Sequence, residues 1–312
     1  MSKYNLITVL GPTASGKTFF GAHLAYRLHG EIISADSRQI YREMDLGTGK
    51  DYEDYIIQDY SVPVHLIDMY DAGYKYNLFQ YQKDFYRVFK EIQKRGNLPM
   101  LVGGTGMYIE AVLSKYELVK VPPNKELREN LSNLTQEELI HVLKQYNSSL
   151  HNTSDLKIRK RTIRAIEIAD YYSKGDVHKE DLPSLRSLIL GVQYDRQSRR
   201  KRISERLRSR LEAGLVDEVK ALLKKISKED LIYYGLEYKY LTLYLTGALE
   251  YEEMFKKLEV AIHQFAKRQM TWFRKMERNG YRIHWLDGHM PVEEKLQRSL
   301  DIIEKEAPDL LS

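Results

Sequence analysis

Apolar positions change period several times along this chain, and each change marks an element. Leu6, Ile7, Val9 and Leu10 form a short apolar run, and Phe19, Ala22, Leu24, Ala25 and Leu28 follow at helical spacing. Glu31–Ser34 reads as a second strand, Val64–Asp68 as a third after a polar stretch, Leu78–Arg95 as a helix and Met100–Val102 as a fourth strand. Such alternation predicts a parallel α/β sheet. After Tyr116 the pattern breaks at Val121-Pro122-Pro123, and Leu131, Leu134, Leu139, Val142 and Leu143 then fall at helical spacing within a helical stretch over Leu127–Tyr172. Strand character returns at Leu188–Val192, near Pro183, and the C-terminal third reads as helices, including Arg199–Leu223 and Met254–Arg278, before a last apolar run at Tyr281–Leu286. The expected organisation is an α/β core over residues 1–119 and 187–312, interrupted by a helical insertion over residues 120–186.

Between the first strand and the first helix stand Gly11, Pro12, Thr13, Ala14, Ser15, Gly16, Lys17 and Thr18, a complete phosphate-binding loop. The glycines let backbone N–H groups face inward, and the helix N-terminus adds positive potential where an anion sits. In such a loop the Lys17 ammonium reaches the terminal phosphates and the Thr18 hydroxyl ligates Mg²⁺. The loop does not say which phosphate ester it holds.

Composition narrows the choice. The 312 residues suffice for one large core with an appended smaller unit. No apolar run approaches a membrane span, and the first strand begins within a few residues of Met1, leaving no room for a signal peptide, so a cytoplasmic, membrane-free protein is expected. With no cysteine, disulfides, thiolate catalysis and cysteine zinc sites are excluded, and any metal is held by oxygen or histidine. The net charge is +5, yet Leu156–Arg210 alone carries 16 Lys and Arg against 7 Asp and Glu. A local excess of this kind is the footprint of a polyanion, with a solvated helix face as the plain alternative.

Two further segments lie at the carboxyl ends of predicted strands, the edge where open parallel sheets bind ligands. Asp36, in Ser34-Ala35-Asp36-Ser37-Arg38-Gln39, is positioned to act as a general base, to bind metal or to cap a helix. Thr105, after Gly103-Gly104, offers a hydroxyl on the same edge or an N-cap for the next helix. His65-Leu66-Ile67-Asp68 has the form of a strand ending in a metal-binding aspartate, a weak signal. Among 24 tyrosines, Tyr233, Tyr234, Tyr238, Tyr240 and Tyr244 cluster, either to stack on bases or as packing residues.

Taken in order, Gly11–Thr18, Ser34–Ser37 with Ile40-Tyr41, Met44-Asp45 with Gly47-Thr48, Val102–Thr105 with Tyr108, Arg164–Glu167 and Ala266–Arg274 resemble the tRNA dimethylallyltransferase family over nearly the whole chain. The resemblance implies a P-loop NTPase-like fold whose inserted helical domain clamps the tRNA anticodon arm. It also implies transfer of a dimethylallyl group from dimethylallyl diphosphate to N6 of adenosine 37, in tRNAs reading codons that begin with U. In that reading Asp36, Thr105 and Lys17 are the catalytic residues, Gly11–Thr18 hold the diphosphate and Thr18 holds Mg²⁺. The tRNA-binding set is Asp36, Ser37, Arg38, Gln39, Thr105, Arg128, Lys157, Arg159, Lys160, Arg161, Arg164, Lys267 and Arg268, while Arg202 and Arg206 could meet RNA or diphosphate. A monomer is expected. Alternatives are an adenylate isopentenyltransferase acting on free nucleotide and a P-loop small-molecule kinase. The chain departs from the family pattern at Tyr234–Lys239, where a Gly-Tyr-Arg or Gly-Tyr-Lys segment is usual, and has extra residues before Arg164; with no C-terminal zinc finger of the kind in eukaryotic members, a bacterial type is expected.

Overall fold

In the computed structural model, which describes residues 4–116, 118–146, 156, 158–175 and 182–311, the apolar runs at the start of the chain become the centre of a parallel sheet. The strands are β1 (Leu6–Leu10), β2 (Gly30–Ser34), β3 (Ile56–Ile57), β4 (Tyr60–Ser61), β5 (Val64–His65), β6 (Leu98–Gly103), β7 (Ser187–Gln193) and β8 (Ile283–Asp287). Six of them form one sheet in the order β5-β2-β6-β1-β7-β8, every pairing parallel, and β3 and β4 make a separate small hairpin. β1 and β2 are buried along their full length, as expected of strands covered on both faces. Val102 of β6 is level with both Val9 and Ser34, so the carboxyl ends of β1, β6 and β2 form one even edge.

The helices are α1 (Lys17–Arg27), α2 (Leu78–Lys94), α3 (Gly106–Leu113), α4 (Lys125–Leu131), α5 (Gln136–Gln145), α6 (Arg159–Ser173), α7 (Arg196–Glu212), α8 (Leu215–Leu222), α9 (Lys228–Tyr233), α10 (Leu236–Leu245), α11 (Tyr251–Arg278) and α12 (Val292–Glu306). α2 starts at a reciprocal cap between Asn77 and Gln80 and buries Tyr81, Phe85, Phe89 and Ile92 on one stripe. Phe20 and Leu24 of α1 pack on Ile7, Val9, Ile32, Met100 and Leu190 of the sheet, each such side chain contributing about 1.5–3 kcal/mol relative to exposure.

Two expectations change. The strand expected over Val64–Asp68 ends at His65 because Leu66 and Asp68 adopt left-handed backbone, φ 63° and 53°, which no strand accommodates. The single helix expected over Arg199–Leu223 is two, broken at Gly214, φ 102°.

The chain divides into two compact units, residues 1–116 with 183–312, and residues 117–182. The second has its own small core of Leu131, Leu139, Leu143 and Ile166. Among the described residues no helix is long and apolar enough to cross a membrane.

Candidate active site

The phosphate loop has the backbone its sequence calls for. Ala14 and Gly16 both take left-handed conformations, φ 60° and 74°, turning successive N–H groups toward one concave face at the start of α1. Ser15 is buried and its hydroxyl has no hydrogen-bond partner, a donor set to meet an anion. The loop is held from outside by two distant side chains. The Gln269 side chain of α11 accepts from the Thr13 N–H at 2.8 Å and donates to the Gly104 carbonyl at 2.8 Å, and Arg202 Nε of α7 donates to the Ala14 carbonyl at 3.0 Å. A Cβ on Gly104 would lie 2.5 Å from Gln269 Nε2 and 3.1 Å from the Gly11 carbonyl oxygen, displacing the amide that ties the loop.

Asp36 and Thr105 face the same edge. Asp36 caps no helix; its Oδ1 accepts from the Arg38 N–H at 2.9 Å, fixing the carboxylate in a tight turn. Thr105 occupies the N-cap position of α3, yet its side chain makes no capping bond. Its Oγ1 instead accepts from the Ser37 N–H at 3.1 Å, and the Thr105 N–H donates to the Ala35 carbonyl, so the ends of β2 and β6 are cross-tied. Lys17 is drawn into this group: burial pulls its pKa down to about 8, with Asp36 opposing and Arg206 and Arg210 of α7 reinforcing. Among the described residues no three His, Asp or Glu side chains gather to hold a metal ion, and Thr18 offers a hydroxyl in the first turn of α1.

The family model for IPP transferase matches residues 39–276. The chain is 55% identical to tRNA dimethylallyltransferase 2 of Phocaeicola vulgatus, over 97% of this chain and 99% of that protein. It is 58% identical to tRNA dimethylallyltransferase 2 of Bacteroides fragilis, over 95% and 97%. A crystal structure of the full-length tRNA isopentenylpyrophosphate transferase from Bacillus halodurans superposes with a TM-score of 0.72 at 30% identity, over 98% of this chain and 97% of that one. The chain belongs to the tRNA dimethylallyltransferase family.

Family membership gives the remaining expected side chains a context, and the structure sorts them. Ser37 and Arg38 lie beside Asp36, with the Arg38 guanidinium 5.4 Å from the centre of the half-exposed Tyr233 ring. Gln39 is buried: its amide donates to the Gly49 carbonyl and accepts from Ser34 Oγ, so it builds part of the wall of the site. Lys267 and Arg268 are exposed on α11, flanking the inward Gln269. In the second unit, Arg128 and Arg164 both bond the buried Glu167 carboxylate, at 2.7 Å each, and Arg159 donates to the carbonyls of Leu131, Ser132 and Leu134. These three arginines hold the unit together; Lys160 and Arg161, at the start of α6, are exposed. Lys157, with Ser154 and Asp155, lies outside the described residues.

Other members of the site left no local signal. Glu218 of α8 accepts from the N–H groups of Asp45, Leu46 and Gly47 at 2.7–3.0 Å and from the Tyr238 hydroxyl at 2.7 Å, pinning the loop that carries Gly49. Asp68, which resembled a metal-binding aspartate, is bonded by Lys50 and Tyr52. Of the tyrosine cluster, Tyr234 and Tyr238 are packing residues with their hydroxyls engaged.

Proposed function

We propose that this enzyme transfers the dimethylallyl group of dimethylallyl diphosphate to N6 of adenosine 37 in tRNAs that read codons beginning with U. The observation that carries the residue-level reading is the meeting of Asp36, Thr105 and Lys17 with the phosphate loop on one sheet edge. The adenine amine is a weak nucleophile because its lone pair is delocalised into the ring. Asp36 accepts the N6 proton as nitrogen attacks C1 of the allyl group, and the bond from C1 to the diphosphate oxygen breaks. The Asp36 oxygen bonded to Arg38 N–H fixes the carboxylate, and the other meets the amine. Thr105 positions the amine and the turn that carries Asp36. The departing diphosphate gathers negative charge, which the loop N–H groups, Ser15 and Lys17 stabilise.

Mg²⁺ fits this arrangement through the Thr18 hydroxyl and diphosphate oxygens, since this ion keeps several waters and needs few protein ligands; bound there, it would neutralise leaving-group charge. The target base is stacked in the anticodon loop and has to be extruded to reach Asp36. Lys160 and Arg161 of the second unit supply positive charge for the anticodon stem, and in the first unit Arg38, Lys267 and Arg268 are offered as further RNA contacts. A monomer acting in the cytoplasm is part of the same proposal.

The test is Mg²⁺-dependent transfer of labelled dimethylallyl to an anticodon stem-loop with adenines at positions 36 to 38, beside a stem-loop with guanosine at 37. Label on the first RNA alone is expected. Equal label on both would sink the assignment of the acceptor, and undiminished transfer by Asp36→Ala would remove Asp36 as the base.

A further inference from the structure

Behind the phosphate loop, Arg206 and Arg210 stand one turn apart on α7. They line a small cavity together with Thr13 and Ala14 of the loop and with Glu237, at the start of α10. The two guanidinium groups are pressed together over Gly49: a Cβ on that residue would lie 2.1 Å from Arg206 Nη2 and 2.2 Å from Arg210 Nη2. Arg206 Nε and Arg210 Nη2 are buried without a hydrogen-bond partner. Among the described residues Asp51 is the one carboxylate ion-paired with them, 4.0 Å from Arg206 and 3.5 Å from Arg210, and it is itself more than half exposed.

Two like charges held together with buried N–H groups unsatisfied are costly unless an anion completes them. The cavity they line is walled by Thr13 and Ala14 of the loop, and both arginines act on Lys17, so the cations gather beside the loop where the proposed reaction builds negative charge. Burial also holds the Arg210 pKa down, to about 10. Glu237 brings a carboxylate, enclosed and pushed above its ordinary pKa by burial, into the same cavity. A carboxylate enclosed beside a diphosphate opposes its binding by like-charge repulsion.

Resting on the placement of diphosphate proposed above, we infer that Arg210 is a diphosphate-binding residue acting beside Arg206, and that Glu237, enclosed in the same cavity, opposes the diphosphate and sets its affinity. The two side chains therefore act with opposite signs on one ligand.

The probe is inorganic diphosphate with Mg²⁺, its dissociation constant measured by calorimetry on the full chain. Arg210→Met weakens binding about tenfold or more, the loss expected for a hydrogen bond to a charged group. Glu237→Gln tightens it several-fold, and the affinity for the stem-loop RNA stays put in both variants. Unchanged affinity in Arg210→Met overturns the inference. So does weakening by Glu237→Gln, which would mark a structural ion pair whose loss disorders the cavity. Lys17→Ala separates the two readings: if it too leaves inorganic diphosphate binding intact, the placement of diphosphate at the loop falls, and this inference with it.

Discussion

The Thr105 hydroxyl accepts a hydrogen bond from the Ser37 N–H at 3.1 Å, although Thr105 occupies a helix N-cap position where its side chain would ordinarily turn back to its own helix. The bond ties the turn carrying Asp36 to the end of β6. Thr105→Val keeps the shape and removes the acceptor, leaving a partly buried N–H unpaired at a cost of about 1–2 kcal/mol. The expected result is a fall of roughly tenfold to a hundredfold in single-turnover transfer, with inorganic diphosphate affinity unchanged and most activity retained in Thr105→Ser. A rate in Thr105→Val equal to that of the parent would leave Thr105 a packing residue.

Gln269 spans two sides of the site, accepting from Thr13 N–H and donating to the Gly104 carbonyl. Gln269→Leu strands both backbone groups in a buried place, a loss of about 1–3 kcal/mol. Because one of the two belongs to the phosphate loop, KM for dimethylallyl diphosphate is expected to rise about tenfold while the affinity for the stem-loop moves little. Steady-state kinetics with each substrate varied in turn would show it, and an effect confined to the RNA would refute the role.

The contrast between these residues explains how far the sequence could be read. The phosphate loop is contiguous and lies between a strand and a helix, and Asp36 and Thr105 follow apolar runs, so a parallel-sheet reading puts all three on one edge. Gln269, Glu218, Arg210 and Glu237 come from helices far along the chain, and helical periodicity tells only that one face is inward, not which loop it meets. The positive charge of Leu156–Arg210 is legible as a count, but not its internal pairing: Glu167 engages Arg128 and Arg164, and carbonyl groups engage Arg159. The resemblance of His65–Asp68 to a metal-binding strand end failed for a backbone reason, the left-handed Leu66 and Asp68.

Burial lowers the Lys17 pKa to about 8 in the folded protein, against about 10.4 in an unfolded chain. Diphosphate affinity should therefore be full below pH 8 and decline as pH rises through the folded value and the ammonium is lost. Stability responds in the opposite direction. Between about pH 8 and 10.4 the unfolded chain binds more protons at this position, so the Lys17 contribution to stability rises with pH. Titration of inorganic diphosphate from pH 7 to 9.5, in parent and Lys17→Ala, should show a decline in the parent that is absent from the variant. The same decline in both would assign it to another group.

Glu167 gives the second unit its internal anchor. Burial alone would raise its pKa, but hydrogen bonds from Arg128, Arg164 and the Asn124 N–H hold it down at about 2. The stabilisation is thus fully present above about pH 4.5 and is lost as pH falls through 2. Both arginines are more than a third exposed, so solvent screening limits the cost of Glu167→Ala to about 1–3 kcal/mol, below that of a wholly buried pair. The core of this unit is small, and a loss of that size should loosen it selectively. Hydrogen exchange is expected to speed up in α4, α5 and α6 while β1, β2 and β6 keep their protection, with stem-loop binding weakened and inorganic diphosphate binding intact. If instead RNA affinity survives while α4–α6 exchange freely, the second unit is not what holds the anticodon stem.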